Sequence, residues 1–404
     1  MFDKNKGQWA GNMTFLIPLA LFGWVLLTVI FFFTLKPHHA VLCSVIGGTL
    51  LLPMAGYNLP GIPPFTKSTA ISLGLVLGGR LSGKRQGARL RWQFIDLPML
   101  FWCLIPLATS LSNNLGWYDG LAGVWDTTFT WGVPYFSGRI YFDTTEKLQD
   151  LCRALVIGGL IYLPLCLYEI RMSPQLSNMI YGFFPHSFAQ HYRYGGFRPI
   201  VFMQHGLMVS LWMAATTTAA FWLWRTGAVK KIKNIPMSLI VPLLILTTVL
   251  CKSANGWFAL ALGFGCYLLF RLFKSVRPFQ MMLLFIPVYI ALRISGTLDG
   301  ATVESFAGHF VDADRVSSLS IRLLQEDLFI EKMLYRPLLG WGGFDRSWPI
   351  DPDTGMNAIQ MIDALWLICV SSRGIFGISL LVSGMLIGPW LALRYLRKNT
   401  YSVE

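Results

Sequence analysis

The chain has 404 residues, of which 54% are hydrophobic and 13% are charged, and its formal net charge is +13. A soluble domain usually carries about 25% charged residues, so this composition excludes an ordinary soluble protein. The mean hydropathy of +0.54 indicates an integral membrane protein. The positive charge lies in short loops between apolar runs, which is typical of cytoplasmic membrane loops rather than of a nucleic-acid surface.

Apolar runs divide the chain into candidate membrane spans, each of which needs about 20 residues. The stronger candidates are 12–34, 40–56, 95–112, 151–169, 201–224, 236–251, 256–273, 278–294 and 374–393. Weaker candidates are 66–79 and 118–140, and the run 359–371 is interpreted as a half-buried or re-entrant helix. The predicted fold is therefore all-α, a polytopic membrane helical bundle of about eleven spans within a range of about ten to twelve.

Lysine and arginine predict the orientation of these spans. Basic residues crowd the loops near 80–91, 225–233 and 271–277 and the C-terminal tail. When all of these lie in the cytoplasm, the segments 170–200 and 295–358 face outward, and the second is long enough to form a helical lid. We expect one membrane domain, 1–404, with no separate soluble domain.

Metal and disulfide chemistry have no motif in this sequence. The seven cysteines lie in or at the ends of apolar segments, and none forms a Cys-x-x-Cys pair. They are predicted to be small buried apolar residues. There is no HExxH, DxD or GxSxG sequence, so zinc hydrolysis, metal-dependent sugar transfer and serine-nucleophile chemistry lack support.

The outer segment 170–200 carries three arginines and two histidines but no carboxylate. Arg198 precedes a proline and then an apolar run, so it is expected at the N-cap of a membrane helix. The free amides and the dipole of that helix would attract phosphate. Gln204 and His205 are expected deeper on the same helix. The alternative is that the arginines bind lipid headgroups while the histidine is buried between helices.

The outer segment 295–358 holds ten of the twenty carboxylates of the chain. Arg315 and Arg322 are seven residues apart, so a helix would place them on one stripe with Ser318 between them. Glu326, four residues beyond Arg322, is placed to pair with it. The alternative is a solvated amphipathic helix whose charges only face water.

The sequence PLLGWGG at 337–343 is expected to end that helix and to permit close backbone approach. Trp341 within it is expected either to stack on a sugar ring or to lie at the headgroup level. Asp363 opens the next apolar run. It is interpreted either as a general base with a raised pKa or as a simple helix cap.

Several of these segments occur together in a known family. Arg315-x4-Ser320-x-Arg322, then Pro337-x-x-Gly340-x-Gly342, then IDALWLICVSSRGIFGI at 362–378 resembles the O-antigen ligase and polysaccharide polymerase superfamily of bacterial membrane glycosyltransferases. The sequence FRPIVFMQHG at 197–206 resembles its earlier arginine-containing motif. The resemblance covers roughly residues 190–392, and the N-terminal third is similar mainly in hydropathy.

The resemblance implies transfer of a glycan from undecaprenyl diphosphate to an acceptor hydroxyl at the periplasmic face of the bacterial inner membrane. The acceptor is lipid A-core in ligases and another lipid-linked glycan in polymerases, and no metal or other cofactor takes part. Where the family has His-Asn, this chain has Ile362-Asp363, so Asp363 is the natural substitute for a histidine base. A rival hypothesis is a transporter or a flippase of lipid-linked glycans, and a third is a non-catalytic scaffold.

Each candidate residue then has an expected role in surface-polysaccharide assembly, either of exopolysaccharide or of O-antigen. The diphosphate would be bound by Arg198, Arg315 and Arg322, because the fork of an arginine matches phosphate oxygens. Asp363 or His205 would take the acceptor proton. Supporting contacts to the glycan would come from Ser318, Gln204 and Trp341. The polyprenyl tail would lie among membrane lipids between the spans.

Overall fold

The computed structural model describes residues 2–3, 8–9, 15–83, 90, 92–185, 188–309, 313–351, 353–359, 362 and 364–400. This part of the chain is mostly helical, with a few short strands. The helical class of the fold is therefore confirmed. The strands form hairpins of two strands each and no larger sheet among the described residues.

The helices follow the apolar runs of the sequence. In chain order they are α1 (Leu16–Thr34), α2 (Pro37–Leu51), α3 (Lys67–Leu81), α4 (Leu97–Ser112), α5 (Trp117–Thr127), α6 (Val133–Tyr141), α7 (Thr145–Met172), α8 (Leu176–Tyr181), α9 (Gly206–Arg225), α10 (Met237–Leu250), α11 (Ala254–Phe273), α12 (Arg277–Ile294), α13 (Gly300–Gly308), α14 (Ala313–Leu334) and α15 (Leu365–Thr400). A π-helical turn, Thr128–Gly132, joins α5 to α6.

The strands are short and antiparallel. They pair as β1 (Phe2–Asp3) with β2 (Gln8–Trp9), β3 (Gly56–Leu59) with β4 (Ile62–Thr66), β5 (Tyr192–Arg193) with β6 (Gly196–Phe197), and β7 (Lys231–Ile232) with β8 (Ile235–Pro236). Single 3-10 turns occur at Phe94–Asp96, Phe188–His191 and Phe344–Ser347. Apart from the β1–β2 hairpin, which precedes α1, these elements lie between helices.

Seven helices in the described part of the chain are long and apolar enough to cross a membrane. They are α1, α4 with the 3-10 turn before it, α7, α9, α11, α12 and α15. The apolar helices α2 and α10 have 15 and 14 residues, which is short of the about 20 that a span needs. The weaker candidate 118–140 is divided into α5, the π-helical turn and α6. The long apolar helices indicate a membrane protein.

The chain forms two compact units, each with its own packing. Unit 1 consists of residues 1–91 and 133–273, and its helix α9 packs against α7, α10 and α11. Unit 2 consists of residues 92–132 and 274–404. There α4 packs against α5 and α15, while α14 packs against α13 and α15.

In unit 2 the helix α15 is interrupted by a turn of the chain that crosses it. Gly374 has φ of 67° and ψ of −168°, which are not helical values. Four backbone hydrogen bonds join the break to the turn at 337–342. They are Ile375 N–H to the Pro337 carbonyl (2.7 Å), Phe376 N–H to the Leu338 carbonyl (3.2 Å), Trp341 N–H to the Ser371 carbonyl (2.9 Å) and Gly342 N–H to the Ser372 carbonyl (2.9 Å).

These four bonds replace the two that a continuous helix would make at this point. In an unbroken helix the N–H groups of residues 375 and 376 would donate to the carbonyls of residues 371 and 372. Here both donors and both acceptors pair with the crossing turn. The break therefore leaves none of these four backbone groups unsatisfied, which is why it is tolerated inside an apolar helix.

The crossing is close enough to require glycine on both sides. Gly340 has φ of 66°, and a Cβ added there would lie 2.6 Å from the backbone nitrogens of Arg373 and Gly374. A Cβ added at Gly374 would overlap the carbonyl of Leu338. The expectation that the sequence at 337–343 permits close backbone approach is confirmed.

We expect Gly374→Ala to lower the midpoint of thermal unfolding. An alanine at positive φ costs about 1–2 kcal/mol, and the overlap with the crossing backbone adds to that cost. Gly388→Ala in the same helix is the matched control, because nothing lies within 4 Å of its added Cβ. Thermal unfolding in detergent would measure both variants, and equal midpoints would contradict the prediction.

Candidate functional site

A buried carboxylate organises the loop before α9 in unit 1. Glu169, near the end of α7, is fully buried. It accepts the N–H groups of Leu176 at 2.9 Å, Ile200 at 2.8 Å and Val201 at 2.7 Å. Val201 has φ of 50°, which is uncommon for a β-branched residue. Charge-assisted hydrogen bonds of this kind stabilise such a conformation, so Glu169 fixes the backbone path of this loop.

This loop changes where α9 begins. The helix starts at Gly206, and His205 is its N-cap residue, with Nδ1 accepting the Leu207 N–H at 3.1 Å. The predicted N-cap position of Arg198 is therefore wrong, as is the predicted helical position of Gln204. The reason is that two amides of the loop donate to a buried carboxylate instead of continuing a helical turn.

Arg198 lies inside unit 1, and only 2% of its surface is exposed. Its Nη2 donates to the hydroxyl of Ser253 at 3.2 Å, and its backbone N–H donates to the His191 carbonyl at 2.7 Å. A Cβ added at Gly206 would lie 2.7 Å from Cγ and Nε of Arg198. The buried ring of His191 is 5.7 Å from that of His205. The structure thus brings Arg198 and His205 together at the start of α9.

Unit 2 contains a pocket of about 380 Å³ between α4, α5, the crossing turn and α15. Its size is within the range of about 300–1,000 Å³ that small-molecule sites occupy. Gly342 and Gly343 form the side made by the turn. The polar lining residues are Thr109, Ser110, Asp119, Asp126, Ser372 and Arg373.

Arg373, directly before the break in α15, supplies the positive charge of this pocket. Its guanidinium lies 4.0 Å from the ring centroid of Trp102, and its Nη2 donates to the Thr127 hydroxyl at 2.8 Å. Its Nη1 is buried and has no hydrogen-bond partner among the described residues. A buried charged donor without a partner is costly. The oxygen of a bound anion or sugar would satisfy it.

The two carboxylates of the pocket differ in their surroundings. Asp119 accepts the Ser110 hydroxyl at 3.4 Å and pairs with Arg346 at 3.6 Å. Asp126 is exposed to the pocket. A carboxylate that faces a pocket can take a proton from a bound hydroxyl, as a general base does.

Side chains of α4 and of the end of α14 hold the crossing turn in place. The amide of Asn113 donates to the carbonyl of Gly340 at 2.9 Å and accepts from Arg336. Trp341 donates from Nε1 to the Lys332 carbonyl at 2.8 Å, and its ring contacts Lys332 Nζ at 4.8 Å and the Arg336 guanidinium at 4.7 Å. These contacts fasten Trp341 to the end of α14. Its predicted contact with a sugar stays a prediction.

The helix α14 is anchored by a buried arginine of α12. Arg293 donates to Glu326 at 2.8 Å and to Asp327 at 2.8 Å, and the hydroxyl of Tyr289 donates to Glu326 at 2.9 Å. The predicted pairing of Glu326 with Arg322 is therefore wrong. The buried guanidinium of Arg293 satisfies Glu326, and the side chain of Arg322 is exposed.

Only some of the residues predicted for the site have side chains in the described part of the structure. Arg315 and Ser318 belong to α14, but their side chains lie outside the described part of the structure. Asp363 lies outside the described residues altogether. Gln204 is exposed in unit 1. Of the residues predicted for the site, the structure therefore describes Arg198, Gln204 and His205 in unit 1, and Arg322 and Trp341 in unit 2.

The sequence analysis did not select the charged residues of the unit 2 pocket. Arg373 lies within the apolar segment 362–378, directly before Gly374. Asp126 stands within a weak candidate span. Ionisable residues within apolar segments are costly to keep and mark functional sites by default. That rule, applied to each of these residues, would have identified both.

Comparison of the chain with protein-family models, with curated proteins and with solved structures gave no match.

We expect Glu169→Gln to destabilise unit 1. The glutamine nitrogen cannot accept a backbone N–H, so at least one buried amide loses its partner, at a cost of about 1–3 kcal/mol. Glu146→Gln at the exposed start of α7 is the control. Thermal unfolding would compare the two, and an unchanged midpoint for Glu169→Gln would show that the carboxylate does not hold the loop.

Proposed function

We propose that the chain is a metal-independent membrane glycosyltransferase. It would transfer a glycan from undecaprenyl diphosphate to an acceptor hydroxyl during surface-polysaccharide assembly, as a polymerase or a ligase. The reaction would take place at the periplasmic face of the bacterial inner membrane. With about eleven spans and the basic loops in the cytoplasm, the segments 170–200 and 295–358 would face the periplasm.

One observation carries the proposal. Two of the segments on which the family resemblance rests, 337–343 and 362–378, form one backbone crossing, and both contribute to the wall of the same pocket. The first contributes Gly342 and Gly343, and the second contributes Ser372 and Arg373. Segments that are similar to those of a glycosyltransferase family therefore meet at a cavity with a cation and two carboxylates.

The pocket residues suit the proposed chemistry. Transfer forms a bond between the acceptor oxygen and the anomeric carbon, breaks the bond from that carbon to the diphosphate oxygen, and moves the acceptor proton to a base. We assign the base role to Asp126, because its carboxylate is exposed in the pocket. Arg373 would hold an oxygen of the donor or acceptor through its buried Nη1.

The other arginines would act on the leaving group. Undecaprenyl diphosphate departs with added negative charge, which arginine stabilises through bidentate contact with phosphate oxygens. Arg315 and Arg322 on α14 are the candidates for that contact, and the predicted role of Arg198, which lies in unit 1, stays a prediction. Asp363 and His205 stay candidates for proton transfer.

We expect Arg322→Ala to lower the rate of glycan transfer by about 10² to 10³, as loss of one charge-stabilising donor typically does. Arg322→Lys should restore only part of the rate, because an ammonium group cannot make the bidentate contact. Arg277→Ala, which removes an exposed arginine from α12, is the control and should keep the rate.

The assay uses the purified full chain in lipid vesicles with an undecaprenyl-diphosphate oligosaccharide. A ladder of longer glycans from the wild type would identify a polymerase. Transfer only after lipid A-core is supplied would identify a ligase. Silence with both acceptors would overturn the proposal and favour the transporter or flippase. Normal turnover by folded Arg322→Ala would remove Arg322 from the mechanism.

The base assignment predicts a pH dependence. Asp126 must be deprotonated to accept a proton, so the rate should increase as pH rises through the pKa of its carboxyl group. Asp126→Asn should abolish this limb of the pH profile and lower the rate by about 10² to 10⁴. Asp119→Asn is the comparison within the pocket, and it should keep the limb because Asp119 already pairs with Arg346. A wild-type pH profile in Asp126→Asn would refute the assignment.

A further inference from the structure

Two adjacent histidines and one aspartate converge in unit 1, at the start of α2 and of α7. Nε2 of His38 lies 3.4 Å from Oδ2 of Asp150, and Nε2 of His39 lies 3.2 Å from the same oxygen. All three ligand atoms lie within 4.8 Å of one another. The two imidazole rings are 4.1 Å apart between centroids. The two histidines of α2 are therefore both directed at one carboxylate oxygen of α7, Oδ2 of Asp150.

The spacing of these atoms fits a bound transition-metal ion. Zn²⁺ binds histidine nitrogen and carboxylate oxygen at about 2.0–2.1 Å with tetrahedral geometry, so two of its ligand atoms are about 3.3 Å apart. The two measured edges, 3.4 and 3.2 Å, match that separation. The ligand types match as well, because two imidazoles and one carboxylate are a common zinc set that leaves a fourth position for water.

The surroundings hold the carboxylate in place and leave the cluster accessible. Arg153 donates to Oδ1 of Asp150 at 3.1 Å, so Oδ2 is the oxygen directed at the histidines. Such outer contacts orient metal ligands. The nearby charge of Lys147 is offset by its ion pair with Asp143. His39 is 43% exposed and His38 is 12% exposed, so an ion can reach the cluster from solvent on the side of His39.

We propose that His38, His39 and Asp150 form a Zn²⁺ site that joins the start of α2 to the start of α7. The inference does not depend on glycan transfer, because none of its residues belongs to the site to which that activity is assigned. An ion held by both helices would link them and, because it binds the folded chain, would stabilise unit 1.

The test uses the full chain in detergent, free of any histidine tag and stripped of metal with EDTA. Zn²⁺ is titrated in competition with a chromophoric chelator. The wild type should bind one equivalent and melt at a higher temperature when zinc is present. His38→Ala, His39→Ala and Asp150→Asn should each raise the Zn²⁺ dissociation constant by more than about 100-fold, because losing a direct ligand exceeds the 10- to 100-fold effect of an outer partner.

The control is His309→Ala, which removes an exposed histidine outside the cluster and should bind zinc like the wild type. Co²⁺ bound to the wild type supplies a measurement that needs no variant. A tetrahedral spectrum without a thiolate charge-transfer band supports the site, whereas a thiolate band would assign the metal to cysteine. The proposal is overturned if the wild type binds no zinc, or if folded His39→Ala binds it as tightly as the wild type. Either result leaves the Arg322 prediction unaffected.

Discussion

The backbone crossing at Gly374 is the constraint on which unit 2 depends. A turn of the chain enters the hydrogen-bond ladder of α15 and takes over the two donors and two acceptors that the helix gives up. Because the crossing satisfies these groups, the helix can break inside an apolar segment at little electrostatic cost. The break in turn places Arg373 at the end of a half-helix, where its guanidinium lines a pocket. The cation of the site is therefore a consequence of backbone geometry, and glycine at two positions makes that geometry accessible.

In unit 1 a side chain, rather than a crossing backbone, satisfies the hydrogen-bonding groups of non-helical backbone. Its loop before α9 also departs from a helical path within an apolar region, and here Glu169 supplies the acceptors that the backbone lacks. In unit 2 the buried charge is positive: Arg293 of α12 forms ion pairs with two carboxylates of α14. In each case a buried charge is stabilised by several directed partners, without which it would be strongly unfavourable. A buried charge with several partners thus holds a non-helical loop in unit 1 and a contact between two helices in unit 2.

The sequence predicted the elements better than the contacts between them. Apolar runs located the long helices because hydropathy is a local property, and the glycines at 337–343 signalled a close approach for the same reason. The start of α9 was misplaced because its position depends on Glu169, which is distant along the chain. The partner of Glu326 was misassigned because a spacing of four residues says nothing about Arg293 on another helix. His38, His39 and Asp150 have no motif spacing, and only the packing of α2 against α7 brings them together.

The order of residues along the chain gives the crossing a further consequence for biogenesis. Synthesis completes α4 and α5, with Asp119 and Asp126, well before the turn and α15 exist. During that interval the two carboxylates lack Arg373 and Arg346, so water or another group has to solvate them. Closing the pocket then joins residues that are far apart in the chain, such as Arg373 and Thr127, which are separated by 246 positions. The acidic half of the pocket therefore exists without its basic half for most of the synthesis of the chain.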